Sequence, residues 1–246
     1  MPTLILLRLQ ANWTARPNAR TLHGLATSLF EGQAVPEDGG YGAPDKPWAV
    51  APMAQGATDD EWLWRATWLP DGTPPTSALA ADTIRVGRTS CFVLESSRRR
   101  FPHATLADGP RLSEVTLEFT SPTYFPGDEA DLLVPDPRLI MDSWQRRWNA
   151  TLQPDDDDLL IDDATWRETR RFLSLADFDL RTVERDAGYG RPGESGFTGT
   201  ATLCLTRSAP GTAWAALGAL SRFAEYCGTG AQTTHGFGAT RIVEAS

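Results

Sequence analysis

Residues 211–245 read GTAWAALGALSRFAEYCGTGAQTTHGFGATRIVEA. Apolar side chains recur at helical spacing from Gly211 to Cys227, glycines follow at Gly228, Gly230, Gly236 and Gly238, and strand-like alternation returns over 238–245. The order is therefore helix, glycine loop, strand. Such glycines allow positive φ and a close approach of other backbone. A Walker loop is excluded, because the chain's one lysine, Lys46, lies far upstream. Gly228-Thr229-Gly230 opens like a dinucleotide fingerprint, but Thr233 occupies the place of the third glycine and the motif follows a helix instead of a strand. The backbone N–H groups of this loop can form a nest for phosphate, with Gln232, Thr233, Thr234 and His235 adding side-chain donors. A tight helix-to-strand turn without a ligand is the alternative. Ligand contact is the reading taken, since a helix cap needs only one glycine.

Upstream of that stretch the chain runs strand SEVTLEFTSPTYF (113–125), helix DPRLIMDSWQRRWNAT (136–151), and strands near 169–187 and 195–207. With the terminal helix and strand this is β-α-β-β-α-β, the ferredoxin-like order. The first half approximates the same series. Strand TLILLRLQANW (3–13) precedes helix RTLHGLATSLFEG (20–32), strand DEWLWRATWL (60–69), a short helix PTSALAADTI (75–84) and strand RVGRTSCFVLESS (85–97). The expected class is α+β, with two tandem ferredoxin-like domains whose antiparallel sheets carry helices on one face. Their spans are 1–110 and 111–246, meeting near ADGPRL (107–112).

Composition narrows the function classes. The apolar run in MPTLILLRLQANW is too short to span a membrane, and it lacks the basic leader and small-residue cleavage site of a secretory signal, so a cytoplasmic protein without a membrane partner is expected. Cys91, Cys204 and Cys227 are far apart and read as core thiols, with no zinc spacing. The net charge is −9, but six of the 32 acidic residues lie in PDDDDLLIDD (154–163), and the remaining 26 nearly balance 23 basic residues. Global charge neither favours nor excludes nucleic acid. The acidic run lacks EF-hand spacing and reads as a solvated loop, so no metal or other cofactor is expected. All basic residues except Lys46 are arginines, planar forks suited to phosphate and base stacking.

Ser121-Pro122-Thr123-Tyr124-Phe125 after a strand, Pro135-Asp136-Pro137-Arg138-Leu139 leading into a helix that carries Arg146-Arg147-Trp148-Asn149, and the loop Gly228–Gly238 form a recognisable set. On these motifs the chain resembles the CRISPR-associated endoribonucleases that cut precursor CRISPR RNA within its repeats, the CRISPR-associated protein family six of the RAMP superfamily. Leu22-His23-Gly24 and Lys46-Pro47-Trp48 extend the likeness into the first half. The resemblance implies a metal-independent RNase that binds a repeat hairpin and cleaves on its 3′ side. It leaves open retention on the mature guide, a homodimer, and other subunits of a CRISPR effector complex as partners.

Cleavage by a ribose 2′-OH needs a base for that proton, an acid for the leaving 5′-oxygen, and donors or cations for the transition-state charge. In one branch of the family a Tyr-x-x-His at the start of the first helix carries the chemistry. Arg20-Thr21-Leu22-His23 matches its histidine and places arginine where the tyrosine stands. Other branches use a histidine in the following loop, and EGQAVPEDGGYGAPDKPW (31–48) contains none. His23 is thus the candidate base or acid, expected in the helix's first turn, where the dipole lowers its pKa. Tyr41 is the candidate proton donor and Lys46 the charge stabiliser. Surface or structural roles are the alternative for all three.

For RNA contact the candidates are Arg20, Arg98, Arg99, Arg100, Arg146 and Arg147, together with the glycine loop from Gly228 to Gly238. His103, just after the arginine run, is expected on the same edge. Trp144 and Trp148 read as core. Against the endoribonuclease stands a catalytically inactive RNA-binding subunit of the same architecture.

Overall fold

The computed structural model describes residues 2–13, 15–31, 46–74, 81–185 and 194–246. In the first half, β1 (Thr3–Gln10) leads to α1 (Ala19–Phe30), followed by β2 (Trp48–Val50), β3 (Ala54–Gln55), β4 (Glu61–Trp68), β5 (Thr83–Val86) and β6 (Thr89–Arg100). The antiparallel sheet has the order β2-β4-β1-β6-β5, with β3 also on β4. Alternation fixes which face is buried. Ile5, Leu7 and Leu9 point to one side, flanked on β4 by Ala66, Trp64 and Trp62, and pack with Leu22, Leu25, Ala26 and Leu29 of α1. Asn18 starts that helix by accepting from the backbone N–H of Thr21 at 3.1 Å.

Two expectations for this half are corrected. Residues 85–97 are not one strand. The chain turns at Gly87, where φ is +60°, and splits the segment into the β5–β6 hairpin. A glycine inside an apparently continuous strand was the available signal. The short helix expected over 75–84 falls partly on residues 75–80, outside the described residues, and its last two positions, Thr83 and Ile84, belong to β5.

Between the sheets lies α2 (His103–Ala107). His103 is fully buried, so it is not on a nucleic-acid edge as its neighbours suggested. Its Nδ1 lies 3.0 Å from Asp71 Oδ1 and its Nε2 lies 3.2 Å from Thr151 Oγ1, while its ring packs edge-on against Trp148. Arg222 adds hydrogen bonds to the carbonyls of Leu106 and Pro110, both 2.8 Å.

The second half comprises β7 (Glu114–Thr123), α3 (Pro137–Thr151), α4 (Asp163–Phe172), β8 (Leu173–Arg185), β9 (Glu194–Leu205), α5 (Gly211–Cys227) and β10 (Thr240–Ala245). Its order, β10-β7-β9-β8, places the first and third strands at the centre, as the ferredoxin-like series requires. The first sheet shows the same arrangement in β2-β4-β1-β6. Val115, Leu117 and Phe119 of β7 meet Trp144 of α3 and Leu217, Leu220 and Phe223 of α5 in one core. The protein is α+β with two antiparallel sheet bodies in tandem, as expected. Helix α4 is a correction, because strand was expected from about residue 169. It is capped by Asp162, which accepts from Thr165 N at 2.7 Å, and is anchored by Trp166. Its polar and apolar residues do follow a helical period, but α4 runs directly into β8 at Phe172–Leu173 with no glycine or proline between them, so no breaker marks where the strand begins. Among the described residues no helix is long and apolar enough to cross a membrane.

Candidate active site at the junction of the two halves

The glycine loop reaches back to the first half. Gln232 with φ 51° and Gly236 with φ 85°, both left-handed, bracket a single 3-10 turn, Thr233–His235. That turn lies against α1 and β2. His23 Nδ1 is 3.2 Å from the carbonyl oxygen of Thr234. A carbonyl only accepts, so Nδ1 carries the proton and, in the neutral ring, Nε2 keeps its lone pair. The His235 ring is stacked on His23 with centroids 4.0 Å apart and planes 8° from parallel, and Trp48 lies 5.1 Å away.

Helix numbering and burial revise one electrostatic expectation. With Asn18 as N-cap, His23 is the fifth helical residue, beyond the first turn in which the dipole acts strongly. Its pKa is nevertheless below 6.5, chiefly because burial disfavours the charged ring, and further because Lys46 is near. The Thr234 carbonyl and Glu31 oppose the shift. The direction matches the expectation and the cause does not. Lys46 Nζ pairs with Glu31 Oε1 at 2.8 Å, and the same carboxylate oxygen accepts from Trp48 Nε1 at 3.2 Å. Glu31, at the end of α1, thus ties Lys46 and Trp48 to the helix that bears His23. Glu31 was not singled out in the sequence, and Trp48 was noted only as the end of Lys46-Pro47-Trp48, without a role. Tyr41 lies outside the described residues.

The family profile described as CRISPR-associated endoribonuclease Cas6 matches residues 117–240. A solved Cas6 (TTHB231) product complex is 30% identical, with 99% of this chain and 100% of that chain covered at a TM-score of 0.79. This chain belongs to the Cas6 family. A structure of Thermus thermophilus Cas6 (TTHB231) matches at 26% identity over 99% of this chain and 98% of that one, with a TM-score of 0.70. A Cas6 (TTHA0078) product complex shares the fold at 24% identity and a TM-score of 0.79, over 99% and 100% of the two chains. No curated protein gives a significant match to the sequence.

In this Cas6 the glycine loop differs from the phosphate nest expected from its composition, because most of its backbone donors are already bonded within the protein. Gly228 N donates to Ala224 O, Thr229 N to Gly238 O, Ala231 N to Tyr124 O, and Gly238 N to Pro122 O, all at 2.8–3.0 Å. Gly230 N donates to Ser143 Oγ and Ala239 N to Ser121 Oγ. Thr229 and Thr233 are buried, and Thr229 Oγ1 accepts from Trp144 Nε1 at 2.9 Å. The glycines serve close packing: a Cβ on Gly230 would clash with Tyr124 O at the SPTYF strand end, and one on Gly238 would touch Thr229 O within the loop itself. Gln232, Thr234 and His235 remain at the partly exposed tip.

Arg147 is also corrected. It is 7% exposed, and its guanidinium donates to Cys227 O at 2.6 Å and Gly230 O at 3.1 Å, holding the base of the loop from inside. A fork aimed at two carbonyls is scaffold here, not a phosphate contact. Its neighbour Arg146 points outward on α3 and is exposed. Arg20 is exposed on α1, one turn before His23. Arg98, Arg99 and Arg100 are exposed at the end of β6, opposite Ile5, Leu4 and Thr3 where β1 begins, whereas α1 follows the other end of β1. The structure therefore gathers His23, Lys46, Thr234 and His235 and leaves the arginine run on a separate edge. Among the described residues no group of three His, Cys, Asp or Glu is arranged to hold a metal.

Proposed function

We propose that this Cas6 cuts precursor CRISPR RNA within its repeats by attack of a ribose 2′-OH on the adjacent phosphorus. The observation that carries the reading is the 3.2 Å contact of His23 Nδ1 with Thr234 O in a site where burial favours the neutral ring, an arrangement that leaves the lone pair on Nε2. In the proposed step Nε2 takes the 2′-OH proton as the 2′-O–P bond forms and the P–O5′ bond breaks. The 5′-oxygen leaves with a proton, for which Tyr41 is the proposed donor, while Lys46 exchanges its Glu31 partner for the charge that grows on the phosphate. The products are a 2′,3′-cyclic phosphate and a 5′-hydroxyl. Exposed Arg20, Arg98, Arg99, Arg100 and Arg146 are the proposed phosphate contacts for the repeat hairpin. The solved product complex of the 30% identical Cas6 (TTHB231) supports an RNA ligand for this chain.

The test is incubation of the purified chain with its repeat RNA in EDTA. Cleavage is expected, with a 5′-hydroxyl on the downstream fragment that polynucleotide kinase labels directly. Dependence on magnesium, or a 3′-hydroxyl on the upstream fragment, overturns the mechanism. Tight binding without any cut makes the chain an RNA-binding subunit instead.

A pH profile checks the base separately. Burial holds the folded pKa of His23 below 6.5, so the ring is already neutral at pH 7 and the reactive form is lost only as pH falls through that lowered value. The acid limb of kcat/KM, which reports the free enzyme, is expected below pH 6.5. A limb centred above that value would assign the essential base to another group.

A further inference from the structure

The contact that sets the tautomer of His23 comes from the other half of the chain. Thr234 is separated from His23 by 211 positions, and its backbone oxygen is the acceptor for Nδ1. An imidazole without such an acceptor distributes its proton over both nitrogens, and the ring with hydrogen on Nε2 cannot take a proton there. Orientation is restricted as well, since the His235 ring stacks on His23 at 4.0 Å with Trp48 alongside. We infer that Thr234 and His235 are positioning residues for His23: the Thr234 carbonyl selects the base-competent tautomer, and the His235 ring face holds the plane of the imidazole. The inference rests on the reading of His23 as the base.

His235 does not fit the alternative role of partner acid. In-line displacement puts base and acid on opposite sides of the phosphorus, and each needs a hydrogen bond of about 2.6–3.2 Å to its oxygen. Parallel rings with centroids 4.0 Å apart leave no room for a phosphate between their faces and would have to act edge-on from one side, and His235 Nδ1 is already 3.1 Å from Thr234 Oγ1.

The loop is built to hold a fixed position. Gln232 is the one described non-glycine residue with positive φ, and its carbonyl accepts from both His235 N at 2.8 Å and Phe237 N at 3.3 Å. A backbone conformation of that kind persists where its surroundings over-determine it. Phe237 then packs with Tyr124 and with Ala19, the first residue of α1, which locks the turn to the helix bearing His23. Arg147 fixes the loop base through Cys227 O and Gly230 O. A base oriented by a rigid element of the other half is competent only while the two halves are docked.

The experiment combines a spectroscopic and a kinetic reading. With only three histidines in the chain, side-chain nitrogen-15 NMR of the full-length protein near pH 7.5 resolves the tautomer of His23. Hydrogen on Nδ1 is expected without RNA; hydrogen on Nε2, or an even mixture, overturns the inference whatever the variants do. In single-turnover cleavage of repeat RNA, His235→Ala is expected to lower the rate about 10- to 100-fold with affinity within about twofold of the parent. His235→Phe, which keeps a ring face without nitrogens, is expected to recover most of that rate. A His235→Phe as slow as His235→Ala, or a loss carried by affinity, assigns His235 to chemistry or to RNA contact and overturns its positioning role. His23→Ala run alongside separates the two levels: activity at the parent rate removes His23 from the chemistry, whereas an inactive His23→Ala with the wrong tautomer in the parent keeps His23 essential and removes the positioning together with Nε2 as the base.

Discussion

His23→Ala is expected to slow cleavage of repeat RNA by roughly 10²–10⁴-fold, the usual contribution of a positioned general acid or base, with affinity for the RNA nearly unchanged. The asymmetry follows from the geometry. In the proposed step His23 offers one ring nitrogen to the substrate, and it is otherwise engaged by the protein, with Nδ1 on Thr234 O and one face on His235. Its removal takes away proton transfer and little binding surface. The measurement is a single-turnover rate at saturating protein beside a binding titration with an uncleavable 2′-deoxy repeat. A variant that cuts at the parent rate would move the chemistry to Tyr41 and Lys46. A drop in affinity equal to the drop in rate would make His23 a binding residue.

Gly230→Val is expected to destabilise the protein by about 3 kcal/mol or more, from strain at positive φ together with overpacking. At Gly230 φ is +75°, and an added Cβ would lie 2.3 Å from the backbone oxygen of Tyr124, which cannot swing aside as a flexible side chain could. The Gly230 carbonyl also accepts from buried Arg147, so a shift of the loop breaks a charge-assisted hydrogen bond. For a chain of this size the loss corresponds to a fall in Tm of about 6–12 °C. RNA binding and cleavage should decline together with stability, because Thr234 and His235 are displaced with the loop. Thermal melting and binding measured on the same preparation check this. Weakened RNA affinity at an unchanged Tm would show that the loop backbone lies directly against RNA, and would rule out close packing on Tyr124 as the reason for this glycine.

Much of the fold was legible because local chemistry repeats it. The helix over 211–227 shows in its apolar spacing, the helix at 136–151 in Asp136 followed by Pro137 at its first turn, and both central strands in their alternation. Helix α4 was missed although Asp162 and a helical period mark it, because it passes into β8 at Phe172–Leu173 without a breaker and the strand-like residues that follow dominate the reading. The β5–β6 turn at Gly87 was hidden for a related reason, a single glycine within a segment of strand composition.

In the site, His23 and Lys46 could be named from residue type and family likeness, and the glycine loop from its composition. The sequence by itself therefore determined the β-α-β-β-α-β order of the second half, the opening strand and helix of the first, and the chemical identity of the candidate base. What it could not supply was direction. Arg146 and Arg147 are adjacent in the chain, yet one faces solvent and the other is buried beneath the loop, because successive helical residues point about 100° apart and packing decides which side is inside. Whether loop N–H groups face a phosphate or their own protein likewise depends on what lies opposite them, here the carbonyls of Pro122 and Tyr124. Only the tertiary structure decided that Thr234 meets His23, since a hydrogen bond between residues 211 positions apart depends on how the two halves dock and leaves no local pattern in either segment.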